Sequence, residues 1–296
     1  MQKKTRAFLK WAGGKYNLIE ELKCHLPEGD MLIEPFVGAG SVFLNTDYPS
    51  YRLNDINADL IHLYQILQHQ ADSFIADART LFTDSANQKT SYLQFRQEFN
   101  QTTDIYQRAI FFLYLNRHGY NGLCRYNLSG KFNVPFGSYK KTYFPEAELY
   151  LFAEKAQRAE FTCNSYQQTM HNAGQGTVIY CDPPYVPLSK TASFTSYARQ
   201  GFSLDDQANL ANLAEAAQQK GITVLISNHD TTWTRKIYQQ ARLKTVQVSR
   251  FISQNGAKRG KVAELLALYS VTAPAAVQIS AVPDEQSVVK LKRKTG

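Results

Sequence analysis

The four cysteines of this chain, Cys24, Cys124, Cys163 and Cys181, form no CxxC pair and share no ligand spacing with histidine. That pattern argues against a structural zinc site and a disulfide framework, and it fits a reducing cytoplasm. No stretch reaches the roughly 18 apolar residues of a membrane span. The charged start MQKKTRAFLK is not followed by the apolar region of a secretory leader, so the chain is expected neither in a membrane nor outside the cell. There is no internal repeat and no low-complexity tract, which removes fibrous and wholly disordered classes. His118, His171 and His229 stand in no metal-ligand spacing and read as surface or locally bonded residues, so no metal is expected. Ser41 follows a glycine turn without a GxSxG elbow around it, which sets aside a hydrolase triad.

What is present is enough apolar material for a sizeable core. Of 296 residues 44% are hydrophobic, a length that suits one large domain or one domain carrying an insertion. A formal charge of +8 and a pI near 9.2 favour a polyanionic partner, although many solvated surfaces carry such an excess. The 18 tyrosines and 17 phenylalanines mostly fill the core, while rings beside cations also suit stacking on nucleobases.

Residues 31–44, MLIEPFVGAGSVFL, read as a short apolar strand, a turn permitted by Pro35, Gly38 and Gly40, and the start of a helix. Residues 51–55 read as a second strand ending in an acid. Residues 177–181 are a continuous apolar run ending at Asp182-Pro183-Pro184-Tyr185, and residues 222–226 are another, ending at Ser227-Asn228-His229-Asp230. Such runs, alternating with helical patterns such as residues 204–220, predict a parallel sheet covered on both faces, and hence an α/β fold. Between 57 and 144 the texture changes: residues 64–82 and 92–115 carry helical periodicity and no buried-strand run appears. This reads as a helical insertion, ending in a loop over residues 116–127 rich in Gly, Asn, Arg and Tyr. The expected organisation is an α/β domain over 1–56 and 145–270, a helical domain over 57–144, and a basic tail over 271–296 that closes on Lys290 to Lys294.

The turn at Phe36-Val37-Gly38-Ala39-Gly40 lets backbone approach a ligand at the carboxyl end of the first strand, where open α/β sheets bind nucleotides. A lone GxG also serves as a tight strand-to-helix turn, but Asp55 ends the next strand, where a carboxylate can bind ribose hydroxyls. Phe43 stands where a dinucleotide fingerprint needs Gly or Ala, so an adenosine without a pyrophosphate is the better ligand. Asp182-Pro183-Pro184-Tyr185 is the sharpest signal. Proline stops the strand and fixes the carbonyl before it. The Asp182 carboxylate and the Pro183 carbonyl can then each accept one hydrogen from an exocyclic amine, while the Tyr185 ring stacks on the base. The plainer alternative is a proline-terminated strand with a structural aspartate. The functional one has a chemical reason: the lone pair of an aromatic amine is delocalised into the ring, and hydrogen bonds to both N–H groups localise it for direct methyl transfer, with no metal and no covalent enzyme intermediate.

Lys10-Trp11-Ala12-Gly13-Gly14-Lys15, Glu34-Pro35-Phe36-Val37-Gly38-Ala39-Gly40-Ser41 and Asp182-Pro183-Pro184-Tyr185 occur in the order of the Dam-type DNA adenine methyltransferases. Residues 120–127, 132–135 and 227–230 also resemble that family, so the resemblance covers nearly everything up to Tyr269. It implies a Rossmann-like S-adenosylmethionine-dependent methyltransferase sheet, with the helical insertion as the DNA-recognition domain. The implied reaction moves a methyl group from S-adenosyl-L-methionine to N6 of a flipped adenine in double-stranded GATC sites, on a monomeric enzyme. The resemblance implies that Trp11, Lys15, Asp55 and Asp182 bind the cofactor, Lys15 near the methionine carboxylate and Asp55 at the ribose. It extends that set to Ala12, Gly13, Glu34, Phe36, Gly38, Gly40, Ile56, Ser165 and Tyr166. It also implies that Lys10, Tyr120, Asn121, Leu123, Arg125, Pro135 and Tyr139 meet the DNA, together with Arg96, Arg117 and Asn127. By the same resemblance, Tyr120 is expected to enter the base stack as the adenine leaves it. Ser138 departs from the family pattern, since many relatives have Arg there, which removes one phosphate contact.

Other readings stay open at this level. Arg117 and Arg125 on a polar loop can be ordinary solvated charges. An adenine methyltransferase acting on RNA would share the turn and the Asp-Pro-Pro-Tyr segment, and the helical insertion argues instead for duplex DNA. An N4-cytosine enzyme more often has Ser where Asp182 stands. A catalytically idle DNA-binding regulator would keep the basic loop but need not keep Asp182 and Asp55.

Overall fold

The structure is a computed structural model and describes residues 4–186, 202–249 and 261–270. The basic tail expected over 271–296 lies outside the described residues. Seven strands form one sheet: β1 (Met31–Glu34), β2 (Ser50–Asn54), β3 (Ala159–Thr162), β4 (Thr177–Cys181), β5 (Thr223–His229), β6 (Arg242–Ser249) and β7 (Lys261–Tyr269). Their order is β3-β2-β1-β4-β5-β7-β6. The β3-β2-β1-β4-β5 part is parallel, with Leu32 opposite both Tyr51 and Val178. The expected parallel sheet is thus found, with one difference: β7 runs antiparallel to both β5 and β6. The alternating polar and apolar residues of β6, RLKTVQVS, suit an edge strand buried on one face.

Why the central strands are apolar on both sides follows from their two-residue period. Leu32, Val178, Tyr180, Leu225, Leu266 and Leu268 point into one core cluster. Their neighbours Ile33, Ile179, Cys181, Val224, Ile226, Leu265, Ala267 and Tyr269 point into the other. Helices α1 (Ile19–His25), α2 (Ser41–Asn45), α3 (Ala58–Arg79) and, further along the chain, α6 (Glu146–Ala156) pack in the first cluster. The second is closed by α7 (Tyr166–His171), α8 (Leu204–Gln219) and Tyr238, just after α9 (Thr232–Ile237).

Two further helices, α4 (Lys89–Gln101) and α5 (Ile105–His118), occupy what reads from periodicity as one helical stretch. The break comes at residues 102–104, because Asp104 caps α5 by accepting from the Gln107 N–H at 3.0 Å. Every residue from Phe111 to Asn116 is buried, which marks α5 as a central helix. Residues of α3, α4 and α5 belong to the same core cluster as the sheet, so the insertion is joined to the sheet by continuous apolar packing.

One buried amide ties the strand ends on which the site is built. The Asn54 side chain donates to the carbonyls of Pro35 (3.1 Å) and Asn164 (3.0 Å). It accepts from the Thr162 hydroxyl (2.9 Å) and the Asn164 N–H (2.8 Å). Its whole hydrogen-bonding capacity is used, and it links the ends of β1, β2 and β3. Asn54→Ala strands several buried polar groups and is expected to lower unfolding stability by about 3 kcal/mol, read by urea denaturation. A loss below about 1 kcal/mol would show that the tie is dispensable.

Candidate active site and nucleic-acid interface

Between β1 and β4 the strand order reverses, and open α/β sheets bind ligands in the crevice outside the carboxyl ends of such a pair. The glycine turn lies there. Gly38 has φ 48° and Gly40 φ 70°, conformations that favour glycine. A Cβ on Gly38 would stand 2.9 Å from Nε1 of Trp11, so the indole lies directly against the turn. The Gly38 N–H donates to Asp55 Oδ2 at 3.1 Å, and the Asn57 N–H to Asp55 Oδ1 at 3.0 Å. Burial raises the Asp55 pKa, and these amides oppose the rise. Ile56, next to it, is 77% exposed.

Glu34 ends β1 and is 2% exposed. Desolvation pushes its pKa to about 8; the backbone amide of Phe43 opposes the rise, and the Asp182 charge adds to it. Among the described residues its Oε1 has no hydrogen-bond partner. Phe36 stacks on Tyr166 with ring centroids 5.5 Å apart. The Tyr166 hydroxyl is engaged by Asp206 and Asn209, and Ser165 caps α7.

Lys15 is buried, with Nζ 2.9 Å from Asp182 Oδ1 and 2.8 Å from the Gly13 carbonyl. The same ammonium lies 4.7 Å from the Tyr185 ring centroid. Ser227 donates to Asp182 Oδ1 at 3.1 Å. Behind the Asp-Pro-Pro-Tyr segment stands a layer of supports. Gln207 donates to the Pro184 carbonyl (2.6 Å), and the Val186 N–H donates to Asn228 Oδ1 (3.3 Å). The Tyr185 hydroxyl donates to Glu264 (2.9 Å), and His229 meets the Tyr185 ring edge-on at 4.8 Å. The polar run Ser227-Asn228-His229, expected to follow its strand, instead continues β5 inside the fold. His229 and His118 are buried and locally bonded, His229 to the Val186 carbonyl at 2.6 Å, whereas His171 is exposed.

The loop after α5 forms a hairpin with bridges Gly119–Phe136 and Tyr126–Phe132. Tyr120 is 44% exposed, Asn121 and Arg125 are exposed, and Leu123 is half-buried. Lys10 is stitched to α5 by Asn116, whose side chain accepts from the Lys10 N–H (2.9 Å) and donates to the Lys10 carbonyl (2.7 Å). Gly122 has φ 62°, and a Cβ there would fall 2.1 Å from that of Lys10, so only glycine permits this approach. The Lys10 ammonium donates to the Arg117 carbonyl at 2.9 Å and lies 3.8 Å from the Tyr139 ring centroid. Burial, then the Arg117 charge, lowers its pKa to about 8.

Several expected DNA contacts have internal work in this structure. Arg96 donates to the Val134 carbonyl and Arg117 to those of Phe8 and Tyr143. Asn127 accepts from the N–H groups of Ser129 and Lys131, closing the hairpin turn, while exposed Pro135 accepts from the Tyr120 N–H. Nothing in the sequence marks Asn116, Asn228, Gln207 or Glu264 as supports. The one available clue is a polar run continuing a buried strand.

A sheet in this order, with a glycine turn and an acid at the ends of β1 and β2 and Asp-Pro-Pro-Tyr at the end of β4, defines a Rossmann-like methyltransferase. Residues 11–252 match the model of the D12 class N6 adenine-specific DNA methyltransferases, and the chain belongs to that family. The DNA adenine methylase of Escherichia coli (strain K12) is 60% identical over 275 residues, covering 92% of this chain and 99% of that protein. That of Vibrio cholerae (El Tor Inaba N16961) is 60% identical over 269 residues, 90% of this chain and 97% of that protein. The Serratia marcescens protein is 60% identical over 268 residues, 90% and 99%. A solved structure described as a precorrin 8w decarboxylase from Methanobacterium thermoautotrophicum covers 86% of this chain and 90% of that chain at 7% identity and a TM-score of 0.36, too low to bear on the assignment. The chain is an adenine-specific DNA methyltransferase of the Dam type, as its motifs led one to expect. Among the described residues no helix is long and apolar enough to cross a membrane, and no cluster suits a metal ion.

Glu34 sets a pH dependence. Folded, it keeps its proton to about pH 8, while an ordinary glutamate releases it near 4.5. The folded chain therefore binds the extra proton between those values, and stability falls as pH rises through that window. The slope is at most about 1.4 kcal/mol per pH unit. Glu34→Gln should remove it, so that the variant gains on the parent from about pH 4.5 to 8 in denaturant titrations. A stability difference that stays flat with pH would refute the assignment.

Proposed function

We propose that this enzyme takes its methyl group from S-adenosyl-L-methionine and delivers it to N6 of an adenine flipped out of double-stranded DNA at GATC sites. The observation that carries the reading is Asp182, held by Ser227 and Lys15 at the end of β4 beside the cradle formed by Trp11, Gly38 and Asp55. The cradle fits an adenosine: a close backbone approach that only glycine allows, a carboxylate for ribose hydroxyls, and an exposed apolar side chain, Ile56, for the base. Lys15, with Ala12 and Gly13 beside it, would hold the methionine carboxylate. When bound, the cofactor supplies a methyl group activated by a sulfonium.

The rest is the work of this chain. Asp182 and the Pro183 carbonyl accept the two hydrogens of the exocyclic amine, which localises its lone pair on nitrogen. The Tyr185 ring, steadied by Glu264 and His229, stacks on the base. The adenine must leave the helix because its N6 is engaged in pairing, and exposed Tyr120 supplies a ring to fill the gap. Arg125 reads the guanine paired with the last cytosine through O6 and N7, and Lys10 the first guanine. In this reading the enzyme acts as a monomer.

Asp182→Ala should abolish methyl incorporation while gel-shift affinity for DNA is largely kept, because the residue activates the amine rather than anchoring the duplex. Retention of more than about a tenth of the parent turnover would reject that role. DNA treated with the enzyme should resist a GATC nuclease blocked by N6-methyladenine and be cut by one that requires it. The reverse pattern would reject the site.

A further inference from the structure

We propose that Asn133 determines how sharply the enzyme selects its sequence, by orienting the Arg125 guanidinium without touching a base itself. The inference rests on the reading above, in which Arg125 contacts a guanine. Arg125 and Asn133 face each other across the hairpin, one residue outside the Tyr126–Phe132 bridge, and the Asn133 N–H donates to the Arg125 carbonyl at 3.1 Å. Arg125 Nε donates to Asn133 Oδ1 at 2.8 Å, and Nη2 donates to the Asn133 carbonyl at 3.2 Å. Those two donors form the side edge of the guanidinium fork. The end edge, Nη1 with the second hydrogen of Nη2, keeps two parallel N–H groups, the pattern that matches O6 and N7 of guanine.

The frame around this pair is stiff. Tyr126, next along the strand, donates to Asp59 at 2.7 Å, and Asp59 is held by both Arg108 Nε (2.9 Å) and Nη2 (3.0 Å). An exposed arginine on a flexible stem would meet a phosphate as readily as a base edge. An arginine whose side edge is already bonded presents one plane to the groove and loses less freedom on binding. Asn133→Ala removes only the side-chain acceptor and leaves the main-chain bonds of the hairpin, whereas Asn133→Asp keeps an acceptor for Nε.

The test is kcat/KM on a GATC duplex and on one altered at the last base pair, with thermal melting of each protein. It is run for the parent, Asn133→Ala, Asn133→Asp, Arg125→Ala and the Asn133→Ala/Arg125→Ala double variant. A bidentate arginine–guanine contact is worth roughly five- to 150-fold in discrimination. Asn133→Ala should remove about tenfold of it. Asn133→Asp should keep the ratio while weakening DNA binding on both duplexes alike, and Asn133→Ala should add nothing once Arg125 is gone. If Arg125→Ala lowers the ratio but Asn133→Ala does not, the role of Asn133 is overturned and the reading of Arg125 stands. A collapse of the ratio in Asn133→Asp overturns it independently of how the alanine variant folds. If Arg125→Ala leaves the ratio intact, the base contact itself falls, and the inference with it.

Discussion

A buried ammonium needs a counter-charge, and Lys15 finds it in Asp182 at 2.9 Å. That pair joins the N-terminal segment to the end of β4, and much of the site follows from it. Trp11, four residues earlier, is brought against Gly38. Lys10, earlier still, is brought against Gly122 and Asn116. One stretch of six residues therefore runs from the end of β4 to the hairpin that carries Tyr120 and Arg125. Asn116 holds its backbone at the Lys10 end, and the ion pair holds it at the Lys15 end.

The hairpin is in turn no free loop. Arg96 and Tyr92 both donate to the Val134 carbonyl, and Asn100 donates to the Phe132 carbonyl. Asp59, on α3, receives Tyr126 and Arg108. The hairpin is thus anchored on α3 and α4, which together with α5 share the apolar core of the sheet. The hairpin and the strand ends are thus joined by packing as well as by the N-terminal segment.

Much of this is legible in the chain and some is not, for physical reasons. β1, β4 and β5 announce themselves because strands buried on both faces must be apolar throughout. β3, AEFT, is short and half-exposed, and its place in the sheet comes from pairing with β2 rather than from any pattern of its own. The helical period over residues 92–115 hides the break at Asp104, since both helices keep an apolar face across it. Motif residues with unusual chemistry, such as Asp182 and the glycines, stand out, whereas Asn54, Asn116, Asn133 and Asn228 act only through partners that tertiary register supplies. Arg96, Arg117 and Asn127 are expected at the DNA only through the family resemblance, and in the structure their side chains bond the protein's own backbone.

The two acids at the strand ends, Glu34 and Asp182, illustrate how neighbourhood rather than residue type sets chemistry. Asp182 is partly exposed and has Lys15 within ion-pair distance. Glu34 is enclosed, has an oxygen without a hydrogen-bond partner among the described residues, and feels the Asp182 charge as a repulsion. Desolvation is the largest cause, the Asp182 charge adds to it and the Lys155 charge only partly opposes it, so the proton stays on Glu34. Its neutrality keeps a second negative charge away from the Lys15–Asp182 pair. Burial at the end of β1 is therefore part of what makes the end of β4 chemically distinct.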